Sequence, residues 1–487
     1  MPEWDQAGQS LLQALGGEGG WPLNIFARPD GRAFFGATAL DSPSLETLLR
    51  QMLVAWEVDP RALVAQADES LAAVRARDLL CAEPRLPSPV EASALLVEEN
   101  LDRLLTPAAQ SLDPGSGLFG EGSFLYPQIY RALLERASTL RAAHVALETL
   151  GRSNACDVLG GGFFRARDGV KLAVENAEML EMLVRGAKRT RSGFLEHVRA
   201  EALRSLREDY ALTGGEIASA LSESPETYRF SSADLFGQLS GVERTVAQRM
   251  LGLSLESQVP VIKSDVGRIA LDLGEPPADV QNIAAHVRGR LREARAAREM
   301  PAADRVARLA PSWLSSCAVT RVLIECDSRP EDFARAEMLR ARVESEGFVL
   351  VGRARFEAAR LFIAVAKRRR PENPEESRRF LATADRLLGA IEDYVPDVRL
   401  SIPFVGYRFD ACDSHGRSTV ALRLEAWMDR AEIASQLEEV DLQEGIVANL
   451  PWQLAHGLEL VRTLGLHGAG VYAAFVRYRA SLPVGNA

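Results

Sequence analysis

The chain has 487 residues, of which 47% are hydrophobic and 25% charged, and its 67 acidic and 57 basic residues give a net charge of −10. This is the composition of a soluble globular protein with ample apolar material for a core. Because the basic residues are interspersed with acids, the sequence predicts no nucleic-acid surface. No apolar run approaches the roughly 18 residues of a membrane span, and the N-terminus lacks the regions of a signal peptide, so we expect a cytoplasmic protein without a membrane partner.

The cysteines indicate neither a redox motif nor a metal site. They form no C-x-x-C pair and no metal-binding spacing, and they lie far apart at Cys81, Cys156, Cys317, Cys326 and Cys412. Buried thiols without a disulfide partner are the default for such cysteines. The sequence therefore predicts no cofactor, no metal and no dithiol chemistry.

The first predicted elements form a small α+β segment. Two short apolar strands, Leu23–Phe26 and Ala33–Gly36, flank the turn sequence P-D-G and predict a β-hairpin. Helices are predicted at Ser42–Trp56 and Pro60–Leu80, after which prolines at 84, 87 and 89 break the chain. We expect a first segment over residues 1–82, followed by a linker.

From residue 90 to residue 487 the pattern is one helix after another, with apolar residues at spacings of three and four. Because no fixed sequence period repeats, a closed array of helical hairpins is favoured over an open solenoid, and the number of helices suits a mainly α fold, an (α/α)6 toroid. Strands are predicted only at 349–351 and 399–402. The predicted helices are Glu91–Leu105, Tyr126–Ala137, Leu140–Leu150, Ala177–Ala187, Phe194–Leu206, Val280–Ala297, Pro311–Ile324, Pro330–Glu344, Arg353–Ala366, Pro374–Ile391, Thr419–Met428, Pro451–Leu464 and Val471–Ala480.

The stretch Asp157–Leu180 contains the strongest local signal in the chain. Three consecutive glycines, Gly160–Gly162, force a turn because a helix accommodates them only at a large entropic cost. We expect Gly161 to have a positive φ or to lie in close contact with another segment. Two phenylalanines and Arg165 follow, as in loops that form pocket rims in helical barrels. A tight interhelical turn with buried aromatics is the alternative, and the residues alone favour it.

Two stretches together resemble the spermatogenesis-associated thioredoxin-like protein family. Residues 19–36, GGWPLNIFARPDGRAFFG, are similar to the hairpin of its thioredoxin-like domain. Asp157–Arg165 and Val174–Leu180 resemble its motifs D-H-x-G-G-G-F-x-R and P-H-F-E-K-M-L, and Ser219–Ser224 with Tyr228–Phe230 resemble S-A-x-D-A-D and Y-x-W. The resemblance implies a thioredoxin fold joined to a toroid similar to N-acylglucosamine 2-epimerases and six-hairpin glycosidases.

The departures from the family pattern concern chemistry. The family's C-H-W-C-H-like redox motif is missing, so we expect an N-terminally truncated, divergent member that cannot perform thiol–disulfide exchange. Family histidines are replaced by Val158 and Glu175, a glutamate by Ala177, and two aspartates by Ser222 and Ser224. Since deprotonation at carbon and glycoside cleavage require paired groups with separated pKa values, a degenerate sugar-type pocket is expected.

Six residues are candidates for ligand binding, and no residue is assigned a catalytic role. Arg165 could hold a sugar hydroxyl or an anion, or pair with Asp168 or Glu175. Glu175 could be a pocket acid or an acid favoured at a helix N-terminus, and Trp313 could stack on a sugar or lie in the core. The candidates are Arg165, Glu175, Glu223, Trp313, Asp413 and His415; the last two have metal-ligand residue types at no recognised spacing, so a polar loop is favoured there.

The favoured function is a thioredoxin-domain family protein with a non-catalytic sugar-type pocket that binds a ligand or a partner. The alternative is a carbohydrate-active enzyme, epimerase, isomerase or glycosidase-like, with relocated catalytic groups. The ligand would be a carbohydrate-like small molecule. The exposed edge of the Leu23–Phe26 strand would either dock on the toroid or take a partner strand, from a second copy or from another chain.

Overall fold

The structure is a computed structural model, which describes residues 22–82, 98–119, 125–165, 170–222, 229–230, 239–254, 259–297, 307–308, 311–346 and 352–392, and single positions 8, 11, 12, 16, 237, 429 and 433. The described elements fall into two compact units, with residues 22–82 in the first and the helices between residues 98 and 388 in the second. The predicted strands at 349–351 and 399–402 and the helices beyond residue 418 lie outside the described residues. The domain ranges 1–82 and 90–487 stay a prediction.

The first unit begins with the predicted β-hairpin. Strands β1 (Leu23–Ala27) and β2 (Ala33–Thr38) pair antiparallel, with Phe26 opposite Phe35, and their rings lie 5.9 Å apart. Within the part of the chain that the structure describes, these two strands form a sheet of their own. The hairpin prediction is confirmed.

Two helices follow the hairpin in the first unit. Helix α1 (Ser42–Val58) begins where the side chain of Asp41 accepts a hydrogen bond from the backbone N–H of Ser44 at 2.8 Å. Helix α2 (Pro60–Ala82) starts almost at once, since Asp59 interrupts the helical backbone and proline suits a first helical turn.

The second unit consists of helices and one small sheet. Strands β3 (Val170–Leu172), β4 (Ala220–Ser222) and β5 (Ala307–Arg308) pair antiparallel in that order. The helices are α3 (Glu98–Gln110), α4 (Pro127–Glu135), α5 (Leu140–Arg152), α6 (Ala173–Thr190), α7 (Gly193–Glu208), α8 (Gly241–Leu251), α9 (Val266–Leu273), α10 (Pro277–Ala296), α11 (Trp313–Asp327), α12 (Pro330–Ser345), α13 (Gly352–Arg369) and α14 (Pro374–Glu392).

Local signals fix many of these boundaries. Ser240 and Glu243 form a reciprocal capping box at the start of α8, and Ser312 with Ser315 does the same for α11. Gly252 ends α8 at a φ of 63°, a left-handed conformation that glycine adopts without steric cost. The helix starts and stops therefore follow from side chains within a few residues of each boundary.

The core of the second unit lies between paired helices. Helix α6 packs on α7 and α11, α11 packs on α13, and α4 packs on α5 and α6. Apolar residues at helical spacing fill these contacts, and Leu180, Leu183, Val319, Val322 and Phe362 are each at most 1% exposed. The prediction of a mainly α fold behind a small α+β segment is confirmed, and the pairing of the helices agrees with the predicted (α/α)6 toroid. None of the described helices is both long and apolar enough to cross a membrane.

Candidate functional site

The glycine loop ahead of α6 is a tight turn organised by Asp157. One carboxylate oxygen of Asp157 accepts hydrogen bonds from the backbone N–H groups of Leu159 at 3.1 Å and Gly160 at 2.8 Å, and its carbonyl accepts from Gly161 at 2.7 Å. Gly161 and Gly162 have φ angles of 79° and 81°. The expectation of a positive φ at Gly161 is therefore confirmed.

The same glycines let other elements approach the loop closely. A Cβ at Gly161 would lie 2.3 Å from the carbonyl oxygen of Glu201 in α7, and one at Gly162 would lie 2.8 Å from the amide oxygen of Asn176. Asn176 in turn accepts from the N–H of Phe163 at 2.7 Å and donates to its carbonyl at 3.0 Å. Sequence reasoning missed this clamp, although a polar Asn176 in place of the family's phenylalanine was a signal.

A buried ion cluster underlies the loop. The Lys171 ammonium lies 2.7 Å from one Asp157 oxygen, and an Arg295 nitrogen lies 3.0 and 3.1 Å from the two Asp157 oxygens. Asp157 is 3% and Lys171 2% exposed. Burial by itself raises the pKa of Asp157, but Arg295 and Lys171 outweigh it and hold that pKa well below its usual range. Asp157 is thus an anion that is paired with both Lys171 and Arg295.

Two further arginines hold the loop from outside. Arg204 of α7 donates to the carbonyl of Gly160, and Arg292 of α10 donates to the carbonyl of Leu159. Phe163 is buried at 1% exposure, whereas Phe164 is half-buried. The geometry agrees with a tight interhelical turn that is held by contacts from α7 and α10.

Two predicted site residues meet at the start of α6. Glu175 lies in the first helical turn and is 2% exposed, and the Arg165 Nε lies 4.0 Å from its Oε1. Arg165 is 24% exposed along its side chain, so it retains access to solvent. The sequence left open whether Arg165 binds a ligand or pairs with an acid such as Glu175. The structure brings Arg165 close to Glu175, and its side chain is still partly accessible.

One and two helical turns further along α6, acidic side chains face arginines from other helices. The Glu178 carboxylate accepts from Arg353 of α13 at 2.8 Å and from Gln128 of α4 at 3.2 Å. Glu181 lies 3.4 Å from Arg321 of α11. We call Glu175, Glu178, Glu181 and these partners, Gln128, Arg321 and Arg353, the polar seam.

The polar seam is desolvated. Gln128, Glu178 and Arg353 are at most 5% exposed, and Arg321 is fully buried. Burial raises the pKa of Glu181, but Arg321 together with Arg131, Arg185 and Arg360 more than compensates and holds that pKa well below its usual range. Arg321 also lies 3.2 Å from Glu357 and 2.9 Å from Glu325. Charged groups in such surroundings persist because each has an opposite charge within reach.

The remaining predicted site residues lie apart from this cluster or outside the described part of the chain. Trp313 is the first residue of α11 and half-buried, and the Arg342 guanidinium carbon lies 4.7 Å from its ring centre. Glu223, Asp413 and His415 fall on residues that the structure does not describe. Of the predicted set, the described structure brings together Arg165 and Glu175.

The thiols of Cys156, Cys317 and Cys326 are poor nucleophiles. Burial raises the pKa of the Cys156 and Cys317 thiols far above the usual value, and it raises that of Cys326 to about 12. Few of these thiols are thiolates at neutral pH, and thiol–disulfide exchange requires a thiolate.

We therefore expect the full-length protein to show no dithiol reductase activity in an insulin turbidity assay. The control is a variant with all five cysteines replaced by serine or alanine. Turbidity that develops well above this control would contradict the expectation, because it would require two reactive thiols to meet.

Comparison with known proteins adds to the sequence resemblance. Residues 1–75 match the model of the Thioredox_DsbH family, described as a protein of unknown function, DUF255. No curated protein matches the chain. Among solved structures, cellobiose 2-epimerase from Spirochaeta thermophila is similar at 15% identity and a TM-score of 0.31, over 72% of this chain and 97% of that one. The thioredoxin-like nature of the N-terminal segment, predicted from its hairpin, is confirmed by the family match.

Proposed function

We propose that this protein binds a ligand or a partner through a sugar-type pocket that has lost its catalytic groups. The pocket would lie where the glycine loop meets the first turns of α6, with Arg165 and Glu175 as its described ligand-binding residues. The proposal extends to Glu223, Trp313, Asp413 and His415, which stay predictions. A carbohydrate-like small molecule is the proposed ligand, and the cytoplasm the proposed location.

The pairing of the buried acids carries this proposal. General acid–base catalysis at neutral pH works best with a group whose pKa lies near 7. The pKa values of Asp157 and Glu181 are instead moved away from 7, and Glu178 is occupied by Arg353 and Gln128. Acids fixed in this way stabilise the fold and are poorly suited to exchange protons with a substrate.

The residues at motif positions add a second line of support. Val158 and Ala177 stand where the family motifs have a histidine and a glutamate, and they are 6% and 0% exposed. Both side chains are apolar and packed in the interior. Restoring catalysis there would require burying a new polar group, which costs free energy unless a partner is present.

Proton exchange at carbon tests the proposal. We expect that ¹H NMR in D₂O will show no loss of the C2 proton of glucose, mannose, N-acetylglucosamine or cellobiose beyond a protein-free control. The same samples should yield no epimer, ketose or cleavage product. Protein-dependent exchange, isomer formation or hydrolysis would instead establish the alternative, a carbohydrate-active enzyme with relocated groups.

A partner strand at the hairpin is proposed as a separate binding mode. Strand β1 pairs with β2 on one side, and among the described residues no second strand pairs with its other edge. An open edge presents backbone N–H and C=O groups in a row and can accept an added strand. The added strand would come from a second copy or from another chain.

A further inference from the structure

Helix α1 presents an unusual apolar surface. None of its 17 residues is buried. Leu49, Leu53 and Trp56 are 43%, 63% and 51% exposed, and their spacing of four and three residues places them on one face. We call these three residues the α1 stripe. Since helices in proteins gain most of their stability from packing an apolar face, the α1 stripe lacks the cover that such a helix needs.

We infer that the α1 stripe is a contact between two copies of this chain, with the two α1 helices packed antiparallel. A two-fold axis beside Leu53 would place Leu53 against Leu53 of the second copy. The same axis would place Leu49 against Trp56 of the second copy, and Trp56 against its Leu49. A surface that matches itself in this way is what an isologous dimer requires.

The charges beside the α1 stripe support the antiparallel arrangement. Arg50 and Glu57 are seven residues, or two turns, apart and therefore lie on the same flank of the helix. Their midpoint lies one residue, or about 1.5 Å, from the midpoint of Leu49 and Trp56, so one two-fold axis beside Leu53 serves both pairs to within that distance and places Arg50 opposite Glu57 of the second copy, twice. In a parallel pair, this flank would instead face the opposite flank of the second copy, and the match between Arg50 and Glu57 would be lost.

These charged groups are available for such a contact. Glu57 has no ion pair within the described residues, and Arg50 has a 2.6 Å pair with Glu46, with both side chains more than 60% exposed. An exposed pair of this kind is weak and can be exchanged for an intermolecular one. The flank that carries Arg50 and Glu57 is therefore complementary in charge to the same flank of the second copy.

The size of the α1 stripe determines how tightly we expect two copies to bind. The α1 stripe and its half-buried neighbours Leu45 and Met52 are five residues, far fewer than the roughly 20–30 that each side of a standard interface contributes. We therefore expect a dimer with a dissociation constant in about the micromolar range. The inference does not depend on the proposed sugar-type pocket.

Sedimentation velocity of the full chain at about 1–100 μM tests the contact. The wild type should pass from monomer to dimer over this range, and Leu53→Asp should raise the dissociation constant at least about tenfold. The matched control is Val58→Asp, because Val58 is 78% exposed and lies on the side of α1 opposite Leu49 and Trp56. This variant should dimerise like the wild type, and circular dichroism should show unchanged helix content in both.

Charge reversal tests the register. Arg50→Glu and Glu57→Arg should each raise the dissociation constant about three- to tenfold, and the double variant should restore it. The double variant also lacks the pair with Glu46, so recovery can arise only between copies. A wild type that stays monomeric at 100 μM would overturn the inference, as would equal effects of Leu53→Asp and Val58→Asp. Loss of the dimer in Ile25→Pro but not in Leu53→Asp would assign the contact to the hairpin edge.

Discussion

Replacing Gly161 by alanine is expected to lower the free energy of unfolding of the second unit by about 3 kcal/mol or more. Two effects add. The φ of 79° is costly for any residue with a Cβ, and that Cβ would lie 2.3 Å from the carbonyl oxygen of Glu201. Because this oxygen belongs to the backbone of α7, relief requires a shift of the helix or of the loop.

The control for this substitution is Gly289→Ala. Gly289 lies inside α10 and a Cβ there would have no atom within 4 Å. The same change should therefore stabilise the protein by roughly 0.5–1 kcal/mol, since alanine is the better helix former. Urea unfolding followed by circular dichroism measures both. If the two variants have equal midpoints, the glycine loop is not the fixed turn that its contacts describe.

The elements that sequence analysis predicted well are those whose signals are local. The hairpin follows from two short apolar runs around P-D-G, and the glycine loop follows from three residues that disfavour a helix. Long helices such as α7 and α12 follow from apolar spacing over three to four turns. The strands β3, β4 and β5 and the short helices α8 and α9 were missed, because two to eleven residues give little periodicity to detect.

The polar seam was missed for a different reason. Glu178 and Arg353 are 175 residues apart in the sequence, and each reads by itself as a charge on a solvated helix face. Only the packing of α6 against α4, α11 and α13 shows that these charges face one another in the interior. The pattern that could have indicated it is the three-residue spacing of Glu175, Glu178 and Glu181, which places all three on one face of a helix that is otherwise buried.

The candidate site was predicted only in part, because some of its contacts join residues that are far apart in the sequence. Arg165 and Glu175 are ten residues apart on either side of a turn, so their approach could be anticipated as an alternative to ligand binding. The contact of Trp313 with Arg342 involves two consecutive helices and was not anticipated. The role of Asp157 was hidden, because its partners Lys171 and Arg295 come from β3 and from the distant α10.

Replacing Asp157 by asparagine should have the largest effect of any single change of charge considered for this chain. The substitution keeps the shape and one acceptor oxygen but removes the charge that Lys171 and Arg295 share. Lys171 is 2% exposed, so its buried ammonium would lose the anion that lies 2.7 Å from it. Breaking a buried pair by removing one partner costs about 3–5 kcal/mol. The matched control is Asp272→Asn, where the pairs with Arg249 and Arg268 are solvent-exposed and the expected cost is below about 1 kcal/mol.

The pH dependence of this effect has a defined sign. The folded-state pKa of Asp157 is lowered relative to about 3.9 in the unfolded chain, so its contribution to stability is fully present above that value. The contribution is lost as the pH falls through the folded pKa. The difference in unfolding free energy between wild type and Asp157→Asn should therefore be constant from about pH 5 to 8 and shrink below about pH 4, as measured by urea unfolding.

A double variant separates the charge from the packing of the site. In Asp157→Asn with Lys171→Met, the buried ammonium that lost its pair with Asp157 is replaced by an apolar side chain of similar length, so part of the lost stability should return. If the cost of Asp157→Asn arose from the loop hydrogen bonds alone, the second substitution would bring no recovery. A double variant as unstable as Asp157→Asn, or a cost that does not change with pH, would thus show that the loop depends on the Asp157 hydrogen bonds and not on its buried charge.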